Sequence, residues 1–177
     1  MKKFLLATVF VLTAYPVLAQ SAAEKTGVNS ALGIAPKTQD FVTEAAQSDM
    51  LEIETSKLAQ ANGNPSIKSF ADQMVTDHTK TSAELKALVG SNKISVALPT
   101  ALDKAHQEKL DKLKKLQGAE FVKEYKSMQV SAHKDAVSLF ERYGQGGDSA
   151  PLKAWAAKTL PALQHHLHMA QDMEKKS

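Results

Sequence analysis

From Thr38 to the C-terminus, apolar side chains recur every three to four positions through one long stretch after another, and the stretches are separated by Asn, Gly and Pro. That period belongs to amphipathic α-helix, and no stretch alternates in the two-residue rhythm of a strand. The pattern restricts the chain to an all-α fold in which every helix buries one face against its neighbours. The 177 residues contain no cysteine. Stability must therefore come from that buried face rather than from disulfides, and about 140 residues are enough for a single core.

The breaks delimit the elements. Thr38 is placed to cap a helix carrying DFVTEAAQSDMLEIETSKLAQA, which NGNP at Asn62–Pro65 stops. Asn64 then caps a second helix, with Pro65 in its first turn, that runs to about Val89. So short a link makes the two an antiparallel hairpin. After SNKISVALP, Thr100 opens a shorter helix that ends near Gln117. A long helix from about Ala119 to Tyr143 and a last one from about Ser149, which Pro161 should kink or divide, form a second hairpin. The connection from Gly90 to Gly118 is long enough to return the chain along the bundle. This favours the one-crossover topology of a ferritin-like four-helix bundle, spanning residues 38–176, over an up-down array of five helices.

Ahead of the bundle, MKKFLLATVFVLTAYPVLA carries two lysines, a largely apolar run from Phe4 to Val11, and Val17 and Ala19 at the −3 and −1 positions. These are the parts of a secretory signal peptide over residues 1–19, cleaved after Ala19, and they predict an exported, periplasmic protein. The apolar run is shorter than the ~20 residues a bilayer requires, so no integral membrane insertion of the mature chain is expected. Residues 20–37, QSAAEKTGVNSALGIAPK, are small, polar and without period, and read as a flexible tether. The formal charge of +3 falls to +1 once Lys2 and Lys3 leave with the signal, and Arg142 is the sole arginine. That balance argues against a nucleic-acid partner.

Stepping about 100° per residue around each helix shows which polar residues share the apolar stripe. In the first helix Phe41, Ala45, Ser48, Glu52, Thr55 and Ala59 lie on one side, so Glu52 points inward. In the second, Ile67, Ala71, Met74, His78, Leu85 and Leu88 do, with Asp77 at the edge. In the long fourth helix His133 and Gln129 flank a stripe centred on Tyr125, Ala136 and Leu139. In the last helix spacing selects His166 from the three clustered histidines. Each long helix thus offers one inward ionisable group: Glu52, His78, His133 and His166. Facing helices of a bundle build metal sites in this way, and three imidazoles with a carboxylate suit zinc, iron or copper. The same four residues could instead satisfy one another as a buried hydrogen-bond network. Asp77 is expected to orient His78, with Gln129 as a second supporting group.

The residues FVTEAAQSDMLEIETSKLAQ, MVTDHT at Met74–Thr79, QVSAH at Gln129–His133 and LPALQHHL at Leu160–Leu167 carry a resemblance. From about Thr38 to Ala170 the chain resembles a large family of exported bacterial proteins of unknown function with a ferritin-like bundle, often described as predicted outer-membrane proteins. The resemblance implies that fold and export, and marks Glu52, Asp77, His78, His133 and His166 as recurrent polar positions. It implies no reaction. The Glu-x-x-His of working di-iron bundles occurs nowhere in the sequence, and no serine lies in a nucleophile elbow. Two readings follow. One is a non-enzymatic binding protein of the cell envelope, acting in its maintenance or in stress tolerance; the other is a metal-binding protein or metal-dependent enzyme using the inward layer. A weak membrane-surface contact through the apolar face of Leu102–Leu116, opposite its lysines, is a further expectation about partners.

Overall fold

The structure, a computed structural model, describes residues 24, 26–91 and 94–176. The signal-peptide reading falls on residues outside these. Among the described residues there are six helices and no strand: α1 (Val28–Ala31), α2 (Thr38–Asn62), α3 (Pro65–Ser91), α4 (Lys104–Lys114), α5 (Gly118–Gly146) and α6 (Ala150–Lys175). No described helix is long and apolar enough to cross a membrane.

The turn between α2 and α3 is made as its residues dictate. Gly63 takes a left-handed φ of 72°, and the Asn64 side chain accepts from the backbone N–H of Ser66 at 2.9 Å to cap α3. Helix α4 starts later than Thr100, because Asp103 is its cap and accepts from the N–H of His106 at 2.8 Å. Pro161 does not divide α6, which continues through it to Lys175. The loss of one backbone hydrogen bond is tolerated where the flanking turns are packed.

Cross-helix contacts give the directions. Phe41 at the start of α2 stacks on Tyr143 near the end of α5 (ring centroids 3.9 Å), while Ser56 near the end of α2 meets the Tyr125 hydroxyl at 2.8 Å. Helices α2 and α5 are therefore antiparallel. Trp155 early in α6 donates to Glu84 late in α3 at 3.0 Å, so α3 and α6 are antiparallel as well. With two hairpins, the order is up, down, down, up. The long connection carries the chain back along the bundle between α3 and α5. Two glutamines of α2 hold this connection by reciprocal amide bonds: Gln39 with the backbone of Ala97, and Gln47 with Ala101 and Asp103. Leu110 and Leu113 of α4 are buried against the bundle. The apolar face expected to meet a membrane surface is thus largely used internally.

Part of the segment read as a tether also packs on the bundle. Arg142 of α5 pairs with Glu24 at 2.7 Å and donates to the carbonyl of Ile34 at 2.7 Å, while Pro36 is buried. Small polar residues without period still dock when a buried cation supplies the anchor, a contact no local pattern reveals.

The core has two apolar layers. One contains Phe41, Leu85, Phe140, Tyr143 and Trp155, and the other Ile67, Phe70, Met74, Leu113 and Tyr125. On α3 the second layer ends at Met74 and the first resumes at Leu85; on α6 the first ends at Leu163 and the second resumes at Ala170. His78 and His166 fall in the gap between the layers. Met74 and Met173 belong to the apolar layer and fill it rather than the gap.

Candidate metal centre in the bundle core

Three imidazoles from three helices meet in this gap. His78 on α3, His133 on α5 and His166 on α6 are 2%, 1% and 3% exposed. Their ring centroids are 5.6 Å (His78–His133), 5.7 Å (His78–His166) and 5.5 Å (His133–His166) apart. One candidate ligand nitrogen from each ring lies within 4.8 Å of those of the other two.

Every ring is anchored through its other nitrogen. His78 Nδ1 donates to Asp49 Oδ1 at 2.8 Å, His133 Nδ1 to the Gln129 carbonyl at 2.9 Å, and His166 Nε2 to Asp77 Oδ2 at 2.9 Å. A carbonyl or an ionised carboxylate only accepts, so each bond fixes the proton on the anchored nitrogen. The neutral rings then hold their lone pairs at His78 Nε2, His133 Nε2 and His166 Nδ1. None of those three atoms has a hydrogen-bond partner, and neither does Glu52 Oε2. The side-chain amide of Gln129 is likewise unpaired at both ends; it lies close enough to Glu52 to favour its anion without completing a bond.

The electrostatics follow from this convergence of acceptors. Burial, reinforced by the charge of His78, lowers His133 to about 4. Burial, then His133 and His78, lower His166 to about 4 against the pull of Asp77. His78 goes the other way. Burial disfavours its cation, but the bond to Asp49 and the charges of Asp49, Glu52 and Asp77 outweigh that and raise it above its ordinary 6.5. Glu52 is raised above 4.5 by burial, with His78 opposing. The centre is a set of acceptors that attracts a cation, the smallest being a proton on His78.

His78, His133 and His166 are buried, in line with their helical phase, and the structure brings the three together, which phase alone does not give. Glu52 stands beside them but outside the 4.8 Å group. The expected role of Asp77 is corrected: it holds His166 across the α3–α6 seam, and Asp49 orients His78. Asp49 had a signal in the sequence. It lies four residues after Ala45 and three before Glu52, so the inward stripe of α2 could be drawn through it; the stripe traced through Ser48 is one position off. Thr81 (3.0 and 2.9 Å) and Ser82 (3.2 Å) donate to the Asp49 carboxylate, which is why a buried anion is tolerated there.

The chain matches the model of the domain of unknown function DUF4142 over residues 23–173. The chain belongs to the DUF4142 family. Neither the curated proteins nor the solved structures give a match. The DUF4142 domain thus includes all of the histidine centre, its three anchors and the docked N-terminal segment from Glu24.

Proposed function

We propose that this DUF4142 protein is a metal-binding helical bundle whose His78, His133 and His166 hold one zinc, iron or copper ion, with Glu52 lending negative charge beside them. The observation that carries the reading is the set of unpaired inward atoms. A layer that closed on itself by hydrogen bonds would leave no three buried imidazole nitrogens without partners. The donor set fits the ion in type: neutral imidazoles suit borderline divalent metals, and the carboxylate and carbonyl behind each ring are the usual supports of metal-bound histidine. It also fits in scale, since ligand distances of about 2.0–2.1 Å are reached from nitrogens 4.8 Å apart or less by side-chain adjustments of about an ångström.

The bound ion would supply a fixed positive charge to a layer otherwise rich in acceptors. Burial of all three rings favours retention of the ion over turnover of a substrate, so the role is binding rather than catalysis. The up-down-down-up order supports a ferritin-like bundle, though without the di-iron motif of the oxidases. The signal-like N-terminus supports a periplasmic location, where such a centre would take up metal and serve envelope maintenance or stress tolerance.

The test is elemental analysis and native mass spectrometry of protein purified from periplasm without an affinity tag, followed by titration of the chelated protein with Zn²⁺, Fe²⁺ and Cu²⁺. One equivalent of metal, lost in a His78→Ala/His133→Ala double variant that remains folded, is the expected result. No stoichiometric binding of any of the three ions overturns the proposal.

A further inference from the structure

The three anchors differ in what surrounds them. His78 is tied to a carboxylate that is itself 9% exposed in its side chain and held by Thr81 and Ser82. His133 is tied to its own helix, through a backbone carbonyl that cannot move independently. His166 is tied only through Asp77, whose side chain is 39% exposed. That bond crosses between the two hairpins at the α3–α6 seam, where the backbones of neighbouring long helices come close at the fewest positions. Asp77 therefore touches both water and a ring of the centre.

Helix α6, though continuous, also lacks a backbone hydrogen bond near this point. Pro161 removes a backbone hydrogen bond between Trp155 and His166, the two α6 residues whose side chains are bonded across the seam, to Glu84 and Asp77. The segment that must yield to open the centre is the one with a missing bond.

Resting on the metal-binding reading, we propose that the ion enters and leaves through the α3–α6 seam, with His166 as the ligand that swings away and Asp77 as the latch that holds it closed. Asp77 is here a positioning residue acting through His166. Replacing its charge weakens the latch, because a hydrogen bond to an ionised acceptor is about twice as strong as one to a neutral acceptor.

The experiment follows Zn²⁺ uptake by the chelated full-length protein, and Zn²⁺ transfer to a chromophoric chelator, by stopped flow. Asp77→Asn should accelerate both uptake and release by about five- to tenfold, a loss of stabilisation in the range expected for one charge-assisted bond. Asp77→Glu should restore slow exchange. Asp49→Asn weakens a support of the same chemical type away from the seam, so it should speed release and leave uptake unchanged. Circular-dichroism melts confirm that each variant is folded, and if Asp77→Asn is not, Asp77→Ser replaces it. Uptake that is unchanged in the Asp77 variant, or equally accelerated by Asp49→Asn, overturns the route while leaving the metal centre intact. If the wild type binds no Zn²⁺, uptake and release are followed with whichever of Fe²⁺ and Cu²⁺ it binds, and binding of none of the three ions instead overturns the centre itself.

Discussion

Asp49 accepts the Nδ1 proton of His78 across the first hairpin at 2.8 Å, and so leaves the Nε2 lone pair of a buried ring facing two other imidazoles. One contact thereby sets the chemistry of the centre and joins α2 to α3. Asp49→Asn should lower metal affinity by about 10–100-fold, the usual effect of losing the group behind a ligating histidine. Isothermal titration against Zn²⁺ measures it; an unchanged affinity would remove Asp49 from the centre.

Metal should stabilise the fold by mass action. At a free-ion concentration about 100 times the dissociation constant, the gain is about 2.7 kcal/mol, or roughly 5–10 °C in melting temperature for a domain of this size. Scanning calorimetry with Zn²⁺, and again after chelation, reads the shift. His133→Ala should abolish it.

In the metal-free protein, His133 and His166 should make stability fall as pH drops. His133 and His166 titrate near 4 when folded and near 6.5 when unfolded. Between those values the unfolded chain takes up protons that the folded one does not, so the contribution is complete above pH 6.5 and declines toward pH 4. His78, with its pKa raised, has the opposite sign: its contribution is present below 6.5 and lost as pH rises through the folded value. Melts of the chelated protein from pH 7 to 5 test the balance, with a His133→Asn/His166→Asn variant expected to show a flatter profile.

Glu52→Gln should separate stability from binding. The carboxyl is raised by burial, so the folded state holds its proton more tightly than the unfolded one, and ionising it costs stability as pH rises through the folded value. Above the folded value the metal-free variant should be more stable than wild type, since there a buried charge is replaced by an amide. Its affinity for a divalent ion should be weaker. A variant that loses stability without metal and binds as tightly as wild type would contradict both expectations.

The N-terminal segment should detach as a unit. Arg142→Ala removes its bonds to Glu24 and Ile34. Limited proteolysis should then cut within residues 26–36 at least about tenfold faster, which corresponds to about 1.4 kcal/mol of local opening, while the cleavage pattern of the bundle is kept.

Helical phase is local, about 100° per residue, and it placed Glu52, His78, His133 and His166 on inward faces without any knowledge of their neighbours. The turn chemistry of Asn62–Pro65 was legible for the same reason, since it acts within a few residues; Gly118, expected to break α4, instead opens α5, and α4 stops earlier, at Lys114. What phase lacks is relative height. Whether His166 on α6 meets Asp77 or Asp49 depends on how the second hairpin slides against the first, and that register is set by packing and by the returning connection, not by any segment alone. The same limit hid the docking of Glu24 on Arg142, whose partners are 118 residues apart. The sequence by itself determined which residues turn inward on each helix. Only the tertiary structure decided that three of them converge, which acceptor anchors each, and that His166 is the one bound to a residue in contact with solvent.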